Sequence, residues 1–395
     1  MEKKRKLLWI GDAVVSSGFA RATHHTLDVL KESWDVSVLG LNYMGDPHQY
    51  PYDIYPAWSG GDAFGVKRTA ALVSKIRPDL VVVQNDPWNV PEYMKRAGDC
   101  PTVATMPVDG KNCRGAALNG LLLGIFWTQF GLDEARKGGY AGEAAVVPLG
   151  VDLELYKPSV TKKEAREKIG LPNAVKDGFL VGNVNRNQPR KRLDLTVQYF
   201  AEWVHSFGIK DAYLFLHVAP TGDQGYDVKQ LMKYYGLPGR LILSDPEIGM
   251  GSPEASLPYL YQSFDAQIST TQGEGWGLTT MEGMACGVPQ IVPEWAALGE
   301  WCEDGVIKIP CRDQIVTPNN INVVGGVPSK THFMNALANV YNNEGVRKDL
   351  IARGLAVVRK PQYRWKAVGE AFAKALDEVR YVSRNDEVEE VEVKV

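Results

Sequence analysis

The chain reads as an α/β protein with two doubly wound units, each a parallel sheet covered on both faces by helices. Three observations predict this. Short, near-continuous apolar runs alternate with helical patterns, which is how strands buried on both faces read. The second half repeats that alternation with no fixed-period sequence repeat. The chain has 395 residues, more than one core usually covers, so two domains are expected.

In the first half, LLWIG (7–11) reads as a buried strand, and FARATHHTLDVLKE, after a small-residue turn, reads as a helix. WDVSVLGL (34–41) is the next strand. A helix near 64–76 leads through Arg77-Pro78 into the strand DLVVVQ. TVATMPVD (102–109) and LLLGIFWT (121–128) continue the series, and helix DEARKGG and strand AAVVPLG close it. The second half offers strands FLVGNVN (179–185), YLFLHVA (213–219), RLILSD (240–245), AQISTT (266–271) and PQIVPE (289–294), separated by helical patterns. PLGVDLELYKP (148–158) reads as the connection between units, which puts the domains at 1–150 and 151–360. Residues 361–382 form a last helix with apolar positions at helical spacing, and 383–395 an acidic, solvated tail. Ligands of open parallel sheets sit at the carboxyl ends of the strands, so two such units face to face would enclose a cleft there.

Apolar residues at 45% and charged residues at 23% describe an ordinary globular protein. A formal net charge of −3 gives no global attraction to nucleic acid or an anionic membrane, though a local basic patch stays open. The five cysteines, Cys100, Cys113, Cys286, Cys302 and Cys311, contain no Cys-x-x-Cys pair, so a zinc ribbon and a thioredoxin-like site are unsupported. They read as buried free thiols in a reducing compartment. The apolar stretch at the start is too short for a signal peptide, and no run reaches membrane-spanning length. The expectation is a cytoplasmic protein without integral membrane insertion.

The strongest motif is Gly273-Glu274-Gly275-Trp276-Gly277-Leu278, continuing through Thr279 and Glu282 to Gly287-Val288-Pro289, directly after strand AQISTT. Its glycines permit a tight turn with bare backbone N–H groups. A helix is expected to start near Gly277 or Leu278, offering unpaired amides and positive dipole as a seat for a diphosphate. Glu274 and Glu282 are candidates to accept paired hydroxyls, as carboxylates do well. A second motif runs from Gly182 to Arg192, where Arg186 and Lys191 could reach one cleft and stabilise a departing diphosphate. No Asp-x-Asp pair occurs, so a metal bridge to a nucleotide sugar has no obvious ligands. A third and weaker signal is the turn at Ser17-Gly18, which opens a helix after the first strand. It reads equally as a plain connecting turn. The histidines offer no metal set: His24 and His25 are adjacent on one helix, and His217 reads as a satisfied core position.

Together these residues resemble the retaining family-4 glycosyltransferases (glycosyl transferases group 1) of the GT-B fold, over most of the chain. The resemblance implies two facing Rossmann-like domains with an interdomain cleft. It implies a nucleotide-diphosphate sugar as co-substrate, UDP-linked in preference to GDP-linked, a transferred hexose as in UDP-glucose, and no required cofactor. The turn at Ser17 and Gly18 resembles the family's N-terminal loop. PLGVDLELYKP resembles its interdomain signature, and Arg186 and Lys191 fall at its phosphate-binding Arg and Lys. Glu274 and Glu282 match its paired glutamates, the first touching the donor sugar and the second its ribose. The backbone of Gly275, Trp276, Gly277, Leu278 and Thr279 would then face sugar and phosphate, and the closing helix would cross back to the first domain near Tyr363 to Trp365.

One departure concerns the acceptor side. Many members carry a His after the fourth N-terminal strand, where this chain reads Met106-Pro107-Val108-Asp109-Gly110. Asp109 is the nearest polar candidate, to bind a donor hydroxyl, to receive the acceptor proton, or simply to cap the next turn. The mechanism implied is front-side attack by an acceptor hydroxyl whose proton passes to a phosphate oxygen. A saccharide, a small molecule or modified DNA are open as acceptors. For hydroxymethylated duplex DNA, Lys111 and Arg114, with Arg190 and Arg192, would contact backbone phosphate, and Trp88 or Trp127 would stack on a flipped base. An epimerase using the same donor site and a non-catalytic nucleotide-sugar sensor are the other readings. Segment 245–251 is expected beside the donor base.

Overall fold

A computed structural model describes residues 4–58, 60–218, 225–244, 253–318 and 320–379. The chain divides into two compact units. Of the described residues, the first holds those within 1–108, 112–150 and from 365 onward, the second 109–111 and those within 151–364.

The first unit runs β1 (Arg5–Asp12), α1 (Gly18–Leu30), β2 (Trp34–Leu41), β3 (Asp53–Pro56), α2 (Val66–Ile76), β4 (Leu80–Gln84), α3 (Val90–Ala97), β5 (Thr102–Met106), β6 (Leu123–Phe126), α4 (Gln129–Lys137) and β7 (Ala144–Val146). The sheet order is β3-β2-β1-β4-β5-β6-β7, with every pairing parallel. β4 and β5 are buried at every residue, as central strands with helices on both faces must be. One core lies on each face of the sheet.

The second unit runs α5 (Lys162–Lys168), β8 (Phe179–Val184), α6 (Leu193–Ser206), β9 (Ala212–His217), α7 (Val228–Tyr234), β10 (Leu241–Leu243), α8 (Leu257–Gln262), β11 (Ala266–Ile268), α9 (Leu278–Ala285), β12 (Gln290–Glu294), α10 (Ala296–Glu300), β13 (Ile307–Val316), β14 (Val324–Pro328), α11 (Lys330–Asn342) and α12 (Glu344–Val358). Its order is β10-β9-β8-β11-β12-β13-β14. The chain then returns to the first unit as α13 (Trp365–Asp377). α13 lies so close to α1 that a Cβ on Gly369 would fall 2.4 Å from Val29, and its Phe372 ring sits 5.6 Å from Trp9. The switch between units falls at Arg364–Trp365, a few residues beyond the expected 360/361 boundary.

Three strands escaped the sequence reading. β3 has four residues and ends at Pro56 on the sheet edge, too short for a period to register. β13 and β14 pair antiparallel, against the expectation of parallel strands throughout. Beyond Pro310 the β13 arm has lost its apolar run. Arg312, Asp313 and Gln314 are exposed, a bulge falls between Cys311 and Asp313, and β14 carries Gly325-Gly326.

Candidate functional site

In the second sheet, β8 lies between β9 and β11, so the order reverses there. The loops leaving β8 and β11 are therefore neighbours at the carboxyl edge, where such sheets bind ligands. Both strong motifs sit on these loops. Bonds lace the loops together: Gln272 N–H donates to the Arg190 carbonyl at 3.0 Å, and the Thr270 hydroxyl to the Arg192 carbonyl at 2.8 Å. Asn187 exchanges hydrogen bonds with the Tyr226 backbone at 2.9 Å each way. Pro189–Lys191 then form a single 3-10 turn that aims two cations at the second loop.

Lys191 Nζ donates to both oxygens of Glu274, at 2.6 and 2.8 Å. Arg190 reaches Glu274 Oε2 with Nη1 at 3.2 Å and Asp109 Oδ2 with Nε at 3.0 Å, and Nη1 also donates to the Gly273 carbonyl. Asp109 arrives from the other half of the sequence. The segment 109–111 pairs with the second unit through Lys111 N–H to the Val324 carbonyl at 2.9 Å and the reverse bond at 3.0 Å. Gly273 is obligatory at this crossing, since a Cβ there would stand 1.6 Å from the Asp109 carbonyl oxygen.

Burial sets the charges. It raises the Asp109 carboxyl above the ordinary range, opposed by Arg190, while Glu274 adds to the rise. Burial pushes Glu274 the same way, but Lys191 and Arg190 outweigh it and leave Glu274 below the ordinary value. For Lys191 burial dominates over the attraction of Glu274, and its ammonium falls to about 8.

α9 begins at Leu278 behind Gly277, whose φ of +92° suits glycine. The N-cap Gly277 offers no side-chain cap to this helix start, so its first amides could serve an anion. Trp276 is buried under the turn, its ring stacked at 5.2 Å on Trp301, whose indole N–H donates to the Trp276 carbonyl at 2.6 Å. Helix and cation turn thus belong to one carboxyl edge, an arrangement suited to an anion carrying a hydroxyl-bearing group.

The other expected residues are divided between the two units. Arg186 is exposed, and the guanidinium that reaches Asp109 and Glu274 belongs to Arg190. Only the duplex-DNA reading of the sequence uses Arg190, as a phosphate contact; its place beside Lys191 on a Pro-started turn is the signal that could have found it. Arg192, given the same role, is bonded to Asp194 at 2.9 Å. Glu282 is buried on α9 and accepts from the Tyr261 hydroxyl at 2.6 Å. Thr279 is half-buried in the first turn of α9, with Gly275 buried just before it.

Ser17 and Gly18 belong to the first unit, where Ser17 caps α1 by accepting from the Ala20 N–H at 3.0 Å and donates to Asp12 at 2.6 Å. Lys111 is exposed with its ammonium 4.7 Å from the Trp295 ring, and Arg114 is exposed in the first unit. His24 bonds the Ala13 carbonyl and, at 2.5 Å, the Tyr52 hydroxyl, while His25 stacks on Trp365 at 4.6 Å. Half-buried at the end of β9, His217 has its pKa lowered by burial. Segment 245–251 and the tail 383–395 lie outside the described residues. Among the described residues, no group of three or more His, Cys, Asp or Glu side chains is placed to hold a metal ion, and no helix is long and apolar enough to cross a membrane.

Two facts define the class: a pair of Rossmann-like α/β units, and a cluster of two cations and two carboxylates on the loops at the switch point of the second. Solved structures share the fold over nearly the whole chain. Sucrose-phosphate synthase from Thermosynechococcus elongatus matches with a TM-score of 0.73 at 17% identity, covering 95% of this chain and 99% of that one. Anabaena HepE in complex with UDP-glucose matches at 0.68 and 17%, covering 94% and 99%. Residues 162–356 match the family of glycosyl transferases group 1, and the solved structures show the GT-B fold for nearly the whole chain. Curated relatives include D-inositol 3-phosphate glycosyltransferases from Actinosynnema mirum, 28% identical over 63% of this chain and 56% of that protein, and from Frankia alni, 30% identical over 41% and 39%. The chain therefore spans between about a third and just over half of the length of the curated relatives it matches, 35% in that of Acidothermus cellulolyticus.

Proposed function

We propose that the chain transfers a sugar from a nucleotide diphosphate, UDP in preference to GDP, to an acceptor hydroxyl with retention at the anomeric carbon. The observation that carries this reading is the meeting of Lys191, Arg190 and Glu274 with the uncapped start of α9 on one sheet edge. The family match and the fold shared with a UDP-glucose complex support it.

In this reading the diphosphate lies over the amides of Leu278 and Thr279, within reach of Lys191 and the exposed Arg186. Glu274 accepts a sugar hydroxyl and Glu282 the ribose hydroxyls. The acceptor oxygen bonds to the anomeric carbon as the bond to the diphosphate breaks, and the acceptor proton goes to the departing phosphate oxygen. Fixed cations and amides stabilise the charge that develops there. No step uses a metal ion. Four of the five cysteines are buried, which agrees with a reducing compartment, and we assign the protein to the cytoplasm.

The acceptor we favour is a saccharide or a small hydroxyl-bearing molecule; the matched relatives are named for D-inositol 3-phosphate. Duplex DNA is disfavoured because Arg190 and Arg192, its expected phosphate contacts, are bonded to carboxylates. A thermal-shift panel of UDP- and GDP-sugars tests the donor, since a ligand held by the folded state raises its midpoint. NMR of the first-formed anomer tests retention. A panel with no shift and no turnover for any nucleotide sugar would end this reading.

A further inference from the structure

We propose that Arg190 is a positioning residue that holds the Asp109 and Glu274 carboxylates together as one hydroxyl-accepting pair for the transferred sugar. This rests on the donor-site reading above and adds a member that the family resemblance did not supply. Arg190 is tied to the second loop at both ends. Its carbonyl accepts from Gln272 N–H, and its guanidinium bonds Gly273, Glu274 and Asp109. One side chain thereby fixes the spacing between two carboxylates that come from sequence positions far apart.

Asp109 is 7% exposed, and its Oδ1 is buried with no hydrogen-bond partner, while Oδ2 is taken by Arg190. An unpaired buried acceptor is costly unless a ligand completes it. A donor-sugar hydroxyl beside Glu274 is the group that the proposed chemistry brings there. The charges facing Asp109 are Arg190, Glu274 and Lys191. Lys191 is already shared between the two Glu274 oxygens. Without Arg190, two buried carboxylates would face each other across one lysine, and Asp109 would take up a proton and lose its acceptor role.

The test compares Arg190→Gln, Arg190→Lys, Asp109→Asn and the double variant Arg190→Gln/Asp109→Asn with the wild-type chain, each first checked for a cooperative thermal transition. Arg190→Gln is expected to raise KM for the nucleotide sugar about tenfold with a smaller change in kcat. The acid limb of its pH profile should move upward. Arg190→Lys should recover part of the loss. In the Asp109→Asn background, Arg190→Gln should add little, because the partner it serves is gone.

Carboxyl carbon NMR of Asp109 without donor supplies a readout independent of turnover, and its titration should move to higher pH in Arg190→Gln. Unchanged KM and acid limb in Arg190→Gln, or effects of the two single variants that simply multiply, would overturn the proposal. So would an unmoved Asp109 titration. Wild-type protein inert toward every nucleotide sugar refutes the donor reading, while the titration still decides whether Arg190 governs Asp109.

Discussion

The two units carry the same topological device and use it differently. In the first, β1 lies between β2 and β4; in the second, β8 lies between β9 and β11. At the first switch point Ser17 fills the start of α1 and Asp12 fixes Ser17. The loop after β4 closes on itself, with Asn85 Oδ1 accepting from the Asp86 N–H and from Asn89. At the second, no side chain fills the start of α9, and two cations and two carboxylates crowd beside it. Sheet topology alone therefore does not decide how a helix start is satisfied. The difference lies in whether a side chain of the cap residue closes the helix start, as Ser17 does, or not, as at Gly277.

Removing the charge at the second switch point should do the most damage. Lys191→Ala is expected to lower kcat/KM by at least about a hundredfold, about 3 kcal/mol of lost transition-state stabilisation. Steady-state kinetics at saturating acceptor measure it, and near-wild-type turnover would erase the contrast between the units. Next is Gly273→Ala, which forces the turn or the 109–111 segment to shift because its Cβ has no room beside Asp109. A loss of about 1–3 kcal/mol in urea unfolding is expected, together with weaker donor binding.

The Lys191 ammonium, held near 8, supplies a pH test. Protonated Lys191 is the binding form, so kcat/KM should fall above pH 8, by about tenfold at pH 9. Stability should move the other way. The unfolded lysine binds its proton up to the ordinary value of 10.5 while the folded one releases it near 8, so the Lys191 contribution to unfolding free energy rises with pH between those values. Activity and thermal midpoint measured across that window would separate the two effects.

Ser17→Ala is the smallest and sharpest comparison. Loss of the α1 cap should cost about 1 kcal/mol of stability. Donor affinity by calorimetry should not change. A weakened affinity would return Ser17 to the donor site and break the contrast.

Much of this was legible in the residues. The glycines around Glu274 and the stop at Gly287 mark α9 almost to the residue, because turn and cap chemistry is local. The fully buried strands β4 and β5 announce themselves by unbroken apolar runs. The bonds of Arg190 to Asp109 and Glu274 were not legible because nothing local separates a solvated arginine from one that bonds two distant carboxylates. The β13–β14 hairpin was missed because its exposed arm resembles a loop in composition.

By itself the sequence determined the two-unit α/β architecture, the glycine-bounded helix start and the presence of Lys191 and Glu274 on loops that follow strands. These follow from periodicity and turn chemistry, which act over a few residues. Only the tertiary structure decided that Arg190 joins Asp109 to Glu274, and that Ser17 spends its hydroxyl on its own helix. Those outcomes depend on which side chains folding brings within 3 Å or so of one another, and hydrogen bonds and ion pairs at that range carry no signature along the chain.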